Sequence, residues 1–529
     1  MQNLPSIFND VIGPVMRGPS SSHCAASLRI GRLCRDLMDG AITKVQIEFD
    51  PNGSLATTHK GQGSDMGLFG GFLGWEANDE RLPDYLAAVS AAGMDIRIDI
   101  HPIGATHPNW YQITLNNDSE QHSMIALSTG GGMIRVIALD SAEVDMGGDL
   151  FETLVYSEHP EAVSKLVSSQ IEPEEIAVRK GAHTFCQIRT VNRPEAALLE
   201  SIRSLPGVSF IRILEPVMPV RTRRDLSVPF TTAEEMLEFN KDKNLNIWQL
   251  ALKYESARGN IPESEVMSKM REIVRIMRAS VDTGLRGTHW EDRILGSQSL
   301  QFRQSMLDGK LVQNDVLNTV ILYVSAIMEV KSSMGVIVAA PTAGSCGALP
   351  GTLLGSTDVL GLDEEETTKA MLAAGLIGVF IALHATFAAE VGGCMAECGS
   401  GCGMAAAGLV VLRNGTLDQA LAAASMALQT SLGMVCDTIA DRVEAPCLNR
   451  NVMAASQAIS CANMALVGYQ HLIPLDQVIE TMKKVGDAIP NTLRCTGLGG
   501  LAITKAAKEI EARLNANTAV GSSPGFKVC

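Results

Sequence analysis

Cysteines are concentrated in one stretch rich in small residues, where several thiolates could share a metal. The members of this group are Cys394, Cys398, Cys402, Cys436 and Cys447. A further cysteine, Cys529, is the last residue of the sequence. The first residues lack the basic segment and clean apolar run of an export signal, so we expect a cytoplasmic protein with reduced thiols. The group therefore predicts metal ligation, with iron–sulfur chemistry foremost, rather than disulfides.

The spacing separates the cysteines into two sets. Cys394, Cys398 and Cys402 recur every four residues, which predicts one helical face. For Cys398 and Cys402 this favours packing as small buried apolar side chains. The other pair, Cys436 and Cys447, flanks the segment CDTIADRVEAPC. The proline before Cys447 predicts an extended or turn conformation there, which would free a thiolate to face a cluster.

A hydroxyl-rich motif, GPSSSHC, occupies residues 18–24. Ser20, Ser21 and Ser22 could cap a helix beginning near Ala25 and leave backbone N–H groups open for an anion. His23 in the same motif could act on a proton. An ordinary capped turn is the alternative interpretation.

A second motif, HKGQGSD, spans residues 59–65. His59 is a candidate base, and Lys60 could bind a carboxylate. Asp65 closes the motif beside two glycines, so it could contact a substrate. A polar turn without a ligand explains the motif equally well.

A third motif, AAPTAGSCGALPG, spans residues 339–351. Gly344 and Gly347 flank Cys346 and predict a tight turn after a helix-like run, where backbone can approach a ligand closely. Thr342 and Gly344 are the candidate substrate-binding residues here. The alternative is a glycine-rich junction between helices.

Composition limits the classes of protein. A chain of 529 residues with 46% hydrophobic and 19% charged residues is compact and long enough for several domains. A formal charge of −15 argues against nucleic acid as a partner. Residues 371–389 are apolar almost throughout, yet they are rich in alanine and glycine and run into the cysteines. We expect the central helix of a soluble bundle, and no membrane partner.

The helices and strands expected around these motifs indicate an α+β multidomain protein. Residues 1–150 contain four predicted strands, near 44–50, 95–104, 110–117 and 132–140, mixed with helical runs, and are typical of an α/β substrate-type domain. Residues 151–218 read β-α-β-β-α-β, the ferredoxin-like order. Residues 219–529 are expected to be all helical after a linker near 221–235, and to end in a flexible tail that begins at 515.

The motifs together resemble those of the iron–sulfur-dependent L-serine ammonia-lyases, also called L-serine dehydratases. The shared elements are GPSSSH, HPN at 107–109, GGG at 130–132, APTAGSCG, CxxxxxxxCxMAAAG and CDxxxxxVxxPCxxRN. The resemblance covers nearly the whole chain. It implies a single chain with an α/β substrate-type domain, an ACT-like unit and a helical catalytic domain.

The resemblance also implies a cofactor and an activity. Three family cysteines hold a [4Fe–4S] cluster, and by motif they correspond to Cys394, Cys436 and Cys447. A C-terminal cysteine can be the fourth ligand, and Cys529 fits that place. The implied reaction converts L-serine to pyruvate and ammonia, with iron acting as a Lewis acid on the hydroxyl. Ser20–Ser22 and Lys60 would hold the carboxylate of this small amino-acid substrate.

The chain departs from the family at three motifs. GQGSD stands where GHGTD is common, so Gln62 replaces a candidate base, and His23, His59 and Lys60 remain the candidate catalytic residues. RCTGLGG at 494–500 stands where RETSRGG is common. LGSQSLQF at 295–302 replaces a glycine-rich element. These changes put the substrate in question more than the cluster.

Other functions stay open. The same chemistry could act on L-cysteine or on another β-hydroxy amino acid. A non-catalytic iron–sulfur sensor, with an amino acid bound by the ACT-like unit, is a second class. The ACT-like unit could also join copies of the chain, and we expect a homodimer or a higher homo-oligomer.

Overall fold

The computed structural model describes residues 4–40, 42–221, 226–290 and 293–521, with side chains up to residue 515. The strands are β1 (Val15–Arg17), β2 (Lys44–Phe49), β3 (Asp95–Ile100), β4 (Trp110–Asn116), β5 (Gln121–Gly130), β6 (Met133–Leu139), β7 (Ala142–Met146), β8 (Phe151–Ser157), β9 (Glu175–Lys180), β10 (Thr184–Thr190), β11 (Val208–Leu214) and β12 (Val336–Val338). Cys529 lies outside the described residues.

Helices dominate the second half of the chain. Those of the first half are α1 (Ala26–Leu37), α2 (Leu55–Thr58), α3 (Ser64–Phe72), α4 (Tyr85–Ala91), α5 (Pro160–Gln170), α6 (Ala196–Arg203), α7 (Ala233–Asn240) and α8 (Ile247–Gly259). The others are α9 (Glu263–Arg286), α10 (Ser299–Leu307), α11 (Asp315–Ser332), α12 (Ala348–Leu360), α13 (Glu364–His384), α14 (Ala389–Gly392), α15 (Ser400–Leu412), α16 (Leu417–Ser431), α17 (Cys447–Leu466), α18 (Leu475–Ala488) and α19 (Lys505–Gly521).

A six-stranded sheet in the order β3-β2-β4-β5-β6-β7 forms the N-terminal part. Only β2 and β3 pair in parallel, so the sheet is mixed rather than the parallel sheet of a wound α/β domain. Side chains alternate between the two faces of the sheet along β4, so Tyr111, Ile113 and Leu115 point into a core shared with α1 and α3. The four predicted strands in this part are confirmed, while β5 and β7 were missed.

Helices α1 and α3 cross at glycines. A Cβ atom added at Gly67 would lie 2.0 Å from the Cys24 carbonyl oxygen, and one at Gly71 would lie 2.3 Å from the Leu28 carbonyl oxygen. The missing side chains therefore let the two helices touch. This crossing sets the first motif, just before α1, against the second motif, just before α3.

Residues 151–214 contain the predicted β-α-β-β-α-β order, from β8 through α5, β9, β10 and α6 to β11. Their four strands form an antiparallel sheet in the order β11-β8-β10-β9. Apolar side chains of α5 and α6, such as Val163 and Ile202, cover one face and make a separate small core.

The helical part encloses the apolar segment α13, which packs against α8, α9 and α15. Two helical stretches, Glu364–His384 and Met395–Leu412, are long and apolar enough to cross a membrane, and both are mostly buried inside this protein. They are therefore packed as core helices. The N-terminal segment joins the same core through Ile7 and Val11, and β1 pairs with β12.

Three local expectations are corrected by the structure. Cys394, Cys398 and Cys402 do not share one α-helix, because a π-helical turn at Met395–Gly399 precedes α15 and breaks the four-residue repeat. The predicted turn is present at 443–446, but it ends one residue before Cys447, which is the first residue of α17. Helix α19 runs to Gly521, so the predicted flexible tail does not begin at residue 515.

Candidate functional site

Three buried thiols meet at the edge of the helical part. Cys394 lies directly before the π-helical turn, Cys436 follows α16, and Cys495 lies between α18 and α19. The Cys436 N–H donates to the Leu493 carbonyl oxygen at 2.8 Å, and the Cys495 N–H donates to the Cys436 carbonyl oxygen at 2.9 Å. Backbone pairing therefore fixes the third thiol beside the first two.

Arg450 supplies positive charge to this thiol group. Its Nη1 donates to the Cys394 sulfur at 3.2 Å, and its Nη2 donates to Asp437 Oδ1 at 2.5 Å. Hydrogen bonding with Cys436, supported by the Arg450 charge, lowers the pKa of Cys394 to about 7 despite burial. The same contacts to Cys394 and Cys495 raise the pKa of Cys436. The arrangement stabilises an anionic sulfur at Cys394.

Asn451 links the third motif to Cys447. Its Nδ2 donates to the carbonyl oxygens of Gly344 and Cys447, each at 2.8 Å. Its Oδ1 accepts the N–H groups of Gly347 and Ala348 at 3.2 and 2.9 Å. Cys447 thus stands at the N-terminus of α17, where the helix dipole favours a thiolate but burial raises the pKa of the thiol. The strand β12, rather than the expected helical run, leads into the motif.

The first motif forms a buried hydrogen-bond chain centred on His23. Ser20 does not cap the following helix, contrary to the prediction. Its Oγ lies 3.1 Å from His23 Nδ1 instead, and His23 Nε2 lies 2.8 Å from Thr58 Oγ1. Thr58 Oγ1 also lies 2.6 Å from the Ser54 carbonyl oxygen, to which its hydroxyl can donate. With the hydroxyl proton placed there, the contacts are satisfied when His23 carries its proton on Nε2 and accepts at Nδ1.

Burial keeps this histidine neutral. His23 has no exposed surface, and burial lowers its pKa to about 3. Glu390 Oε1 lies 3.6 Å from His23 Nδ1, and burial raises the pKa of this carboxyl group. The neutral imidazole therefore presents Nδ1 as a hydrogen-bond acceptor beside this carboxyl group.

The remaining serines of the motif are also buried. The Ser21 Oγ accepts the Ala343 N–H at 3.0 Å, which ties the first motif to the third. Ser22 is 4% exposed.

The second motif reaches the thiol group through a position where the chain departs from the family. Gln62 Nε2 donates to the Cys495 sulfur at 3.4 Å. His59 Nδ1 lies 2.8 Å from Asp65 Oδ1, and Lys60 is exposed. Two of the motifs that depart from the family, GQGSD and RCTGLGG, are therefore in contact through Gln62 and Cys495.

The Glu397 carboxyl group packs against the third motif. The Thr342 Oγ1 donates to Glu397 Oε1 at 2.6 Å, and a Cβ added at Gly344 would lie 2.7 Å from that oxygen. Any side chain at position 344 would therefore collide with the Glu397 carboxyl group. Burial, followed by the Cys394 charge, raises the pKa of Glu397 to about 8, so this side chain holds a proton at neutral pH.

Several buried polar atoms near these motifs lack a hydrogen-bond partner among the described residues. They include Nζ of Lys331 and Oγ1 of Thr438, whereas the buried Asn109 and Glu390 side chains lie next to each other and interact. Lys331 is fully buried, and its Cγ would lie 2.9 Å from a Cβ at Gly18 in the first motif. Unsatisfied buried polar groups are costly unless a ligand completes them.

Sequence reasoning missed Glu390, Glu397, Lys331 and Cys495 as site residues. No motif identifies the first three, because each occupies an ordinary helical sequence. Cys495 could have been recognised from the sequence, because it lies within the altered RCTGLGG motif. No three Cys, His, Asp or Glu side chains of the described chain are arranged to hold a single metal ion.

Comparisons with known proteins agree with this combination of motifs. A family profile described as "Serine dehydratase alpha chain" matches residues 242–502. The probable L-serine dehydratase alpha chain of Bacillus subtilis is 35% identical over 285 residues, which cover 54% of this chain and 95% of that relative. The L-serine dehydratase alpha chain of Peptoniphilus asaccharolyticus is 37% identical over 53% of this chain and 96% of its own length.

A third relative spans both halves of the chain. L-serine dehydratase TdcG of Escherichia coli is 28% identical over 501 residues, which cover 92% of this chain and 96% of that relative. The likeness therefore includes the sheet-containing part as well as the helical part that holds the cysteines. The chain belongs to the L-serine dehydratase family.

Proposed function

We propose that the protein is an ammonia-lyase that converts L-serine to pyruvate and ammonia. The observation that carries the proposal is a hydrogen-bonded connection between His23 and the thiol group. It runs from His23 through the Thr58 and Ser54 hydroxyls to the backbone of Cys495. The Ser54 Oγ, 3.3 Å from Thr58 Oγ1, donates to the Cys495 carbonyl oxygen at 3.4 Å. A proton-handling residue thus adjoins a metal-ligating group, as an elimination reaction requires. The names of the relatives support the same reaction.

Cys394 and Cys436 of the thiol group, together with Cys447, whose thiol interacts electrostatically with Cys394, have the donor chemistry of an iron–sulfur site. A [4Fe–4S] cluster binds each thiolate through a different iron, so its cysteines need not converge on one point as they do around a single ion. Cys394, Cys436 and Cys447 would hold the cluster, with the N–H of Arg450 directed at the Cys394 sulfur. When bound, the cluster would supply Lewis-acid activation of the substrate hydroxyl. Cys529, in the part of the chain outside the described residues, remains the proposed fourth ligand by resemblance.

Lys331 is the residue best suited to the substrate carboxylate. Its unpartnered ammonium is buried beside Gly18, whereas Lys60 is exposed. Burial raises the pKa values of Cys447 and Glu397, and the ammonium of Lys331 opposes both increases. The positive charge therefore acts within the same site. A carboxylate would complete it with a charge-assisted hydrogen bond.

The proton steps are assigned to His23 and Glu397. The Nδ1 lone pair of His23 accepts the α-proton, directly or through the Ser20 hydroxyl 3.1 Å away. The protonated Glu397 donates to the departing hydroxyl, which leaves as water. The resulting aminoacrylate tautomerises to an imine, and water converts this to pyruvate and ammonia.

A second candidate is the same elimination on another β-substituted amino acid, such as L-cysteine. The contact of Gln62 with Cys495 favours this alternative, because both positions depart from the family in the substrate-facing region. The test is an anaerobic panel of amino acids on cluster-reconstituted protein, with ammonia and keto acid as products. Turnover of L-serine above all others supports the proposal. Release of ammonia from none of them would favour the sensor function.

The ferredoxin-like unit at 151–218 is proposed as an ACT-like element that senses an amino acid or joins copies of the chain. Its antiparallel order β11-β8-β10-β9 supports this proposal, and a structural spacer is the alternative. A protein lacking the unit that retained identical kinetics and assembly state would establish the spacer.

A further inference from the structure

Strand β3 is the free edge of the N-terminal sheet. At the opposite edge of this sheet β7 packs against β9, and β11 packs against α1, so the edges of the four-stranded sheet face other parts of the chain. In the described chain β3 is paired with a strand on one side only, that of β2. A free edge presents a row of backbone N–H and C=O groups to which another strand can add.

The outward backbone groups of β3 belong to every second residue. The Asp95 N–H donates to the Thr43 carbonyl oxygen at 2.8 Å. At the other end of the strand, the His101 N–H donates to the Phe49 carbonyl oxygen at 3.1 Å. The odd-numbered residues of β3 are therefore bonded toward β2, and the residues between them direct their N–H and C=O groups to the free edge. Those residues are Ile96, Ile98 and Ile100.

The two faces of β3 differ in charge. Arg97 and Asp99 stand on the outer face, where the Arg97 Nε donates to Asp99 Oδ1 at 2.9 Å and the Arg97 side chain is 64% exposed. On the other face Ile96 is buried and Ile98 is half-buried in the core beneath the sheet, whereas Ile100 is 42% exposed. The apolar face of this edge is therefore incompletely covered within one chain.

One antiparallel register of two copies of β3 satisfies both the backbone and the charges. When the pairing is centred on Ile98, the outward N–H and C=O groups of each isoleucine meet those of another isoleucine. Arg97 then lies opposite the partner's Asp99, in the kind of pair whose side chains are closest. Centring the pairing on Arg97 or on Asp99 would oppose like charges directly. Centring it on Ile96 or Ile100 would leave half of the strand unpaired.

We propose that β3 pairs with β3 of a second copy of this chain, so that two six-stranded sheets become one continuous sheet. The two-fold axis passes beside Ile98. Both copies contribute the same strand, so the contact closes as a dimer and does not propagate. Two ion pairs between Arg97 and the partner's Asp99, and the covering of Ile100 by the partner's Ile96, stabilise the association.

The experiment is a charge reversal in the full-length protein, with the molecular mass measured by sedimentation velocity over a range of concentrations. Wild-type protein should be a dimer. Arg97→Asp sets acidic side chains opposite each other, and Asp99→Arg sets basic ones, so each variant should have a dissociation constant at least about tenfold higher. An equimolar mixture of the two variants restores opposite charges across the axis and should form a mixed dimer. Mixing cannot rebuild the ion pair within one strand, so this result reports a contact between copies.

Two further variants complete the test. Ile100→Pro removes an outward N–H that pairing with β2 does not use, so it should dissociate the dimer with little change in the urea midpoint of unfolding. Arg135→Asp, at an exposed arginine of β6 that pairs with Asp145, is the matched control and should retain the wild-type mass. In the wild type, amide hydrogen exchange of residues 95–101 should accelerate on dilution, as the dimer dissociates.

Three outcomes would overturn the inference. Wild-type protein that stayed monomeric at every concentration would show that the charges of β3 protect the edge from pairing. A dimer unchanged in Arg97→Asp, Asp99→Arg and Ile100→Pro would place the contact on another surface. Variants that dissociated alone and formed no mixed dimer would show an effect within one chain. None of these measurements depends on the cluster or on serine turnover, so a failure of the proposed function would leave the result standing.

Discussion

Arg450 donates a guanidinium N–H to the sulfur of Cys394 across 3.2 Å, although the two residues belong to different helical segments. The same guanidinium holds Asp437, the residue after Cys436. Asp437 in turn accepts the Leu501 N–H at 2.8 Å. The Arg450 and Asp437 side chains therefore connect the segments that carry Cys394 and Cys436 with the segment that contains Leu501.

The first prediction concerns the ligand set. Cys394→Ser, Cys436→Ser and Cys447→Ser should each reduce iron from about four atoms per chain to less than one, because hydroxyls are poor ligands for iron–sulfur clusters. Iron and sulfide analysis after anaerobic reconstitution measures this. Cys186→Ser, at a buried cysteine of the ferredoxin-like unit, is the control and should retain its iron. Full iron content in Cys436→Ser would contradict the assignment.

The second prediction concerns His23. Removing a general base typically costs 10²–10⁴ in rate, so His23→Gln should lower kcat by about that factor without loss of iron. Thr58→Val preserves shape but removes the acceptor that fixes the Nε2 proton, and it should lower kcat by about tenfold. Because burial lowers the pKa of His23 to about 3, its protonation should not limit activity between pH 6 and 8. An acidic limb of the rate profile in wild type that vanished in Thr58→Val would contradict this view.

The third prediction concerns Lys331. Its loss should chiefly weaken substrate binding, since a charge-assisted hydrogen bond contributes about 1.5–3 kcal/mol. Lys331→Met should raise KM for L-serine by about tenfold to a hundredfold, with a smaller effect on kcat. Lys165→Met, at an exposed lysine, is the control. An unchanged KM in Lys331→Met would place the carboxylate elsewhere.

The sequence could predict the parts of the site that are local. Resemblance to the family motifs pointed to Cys394, Cys436 and Cys447, whose ligand role stays a prediction, and strand-like sequence patterns predicted β2, β3, β4 and β6. The contact of Gln62 with Cys495 could not be predicted, because it joins the two ends of the chain through the tertiary fold. Glu397 and Lys331 resemble ordinary helical charges until burial and neighbours are known. The π-helical turn before α15 escaped detection because cysteine spacing alone cannot distinguish it from an α-helix.

The fourth prediction concerns the crossing of α1 and α3. A Cβ at Gly67 would lie 2.0 Å from the Cys24 carbonyl oxygen and 2.3 Å from the Ser27 Oγ. Gly67→Ala should therefore destabilise the protein by about 3 kcal/mol, since backbone must move to make room. It should also lower activity by displacing His23 from Thr58. Gly296→Ala, where a Cβ would meet nothing within 4 Å, should change stability by less than about 1 kcal/mol in denaturant titrations. Equal effects of the two substitutions would refute the close crossing.

The last prediction concerns Glu255, which binds the N-terminal segment to α8. The Ser6 Oγ donates to its Oε1 at 2.5 Å, and the Ile7 N–H donates to its Oε2 at 2.7 Å. Burial raises the pKa of this carboxyl group from 4.5 to about 7. Asp10, whose pKa burial raises to about 6, lies nearby and acts in the same direction.

The sign of the pH effect follows from these values. Between about pH 4.5 and 7 the unfolded chain loses the Glu255 proton while the folded protein keeps it, so the free energy of unfolding falls as pH rises. The decrease due to Glu255 should be up to about 3 kcal/mol. Glu255→Gln cannot ionise, and its stability should depend less on pH over this interval. Urea titrations at pH 5 and pH 8 measure the difference, with the exposed Glu272→Gln as control. A variant that retained the wild-type dependence would show that Glu255 ionises normally in the folded protein.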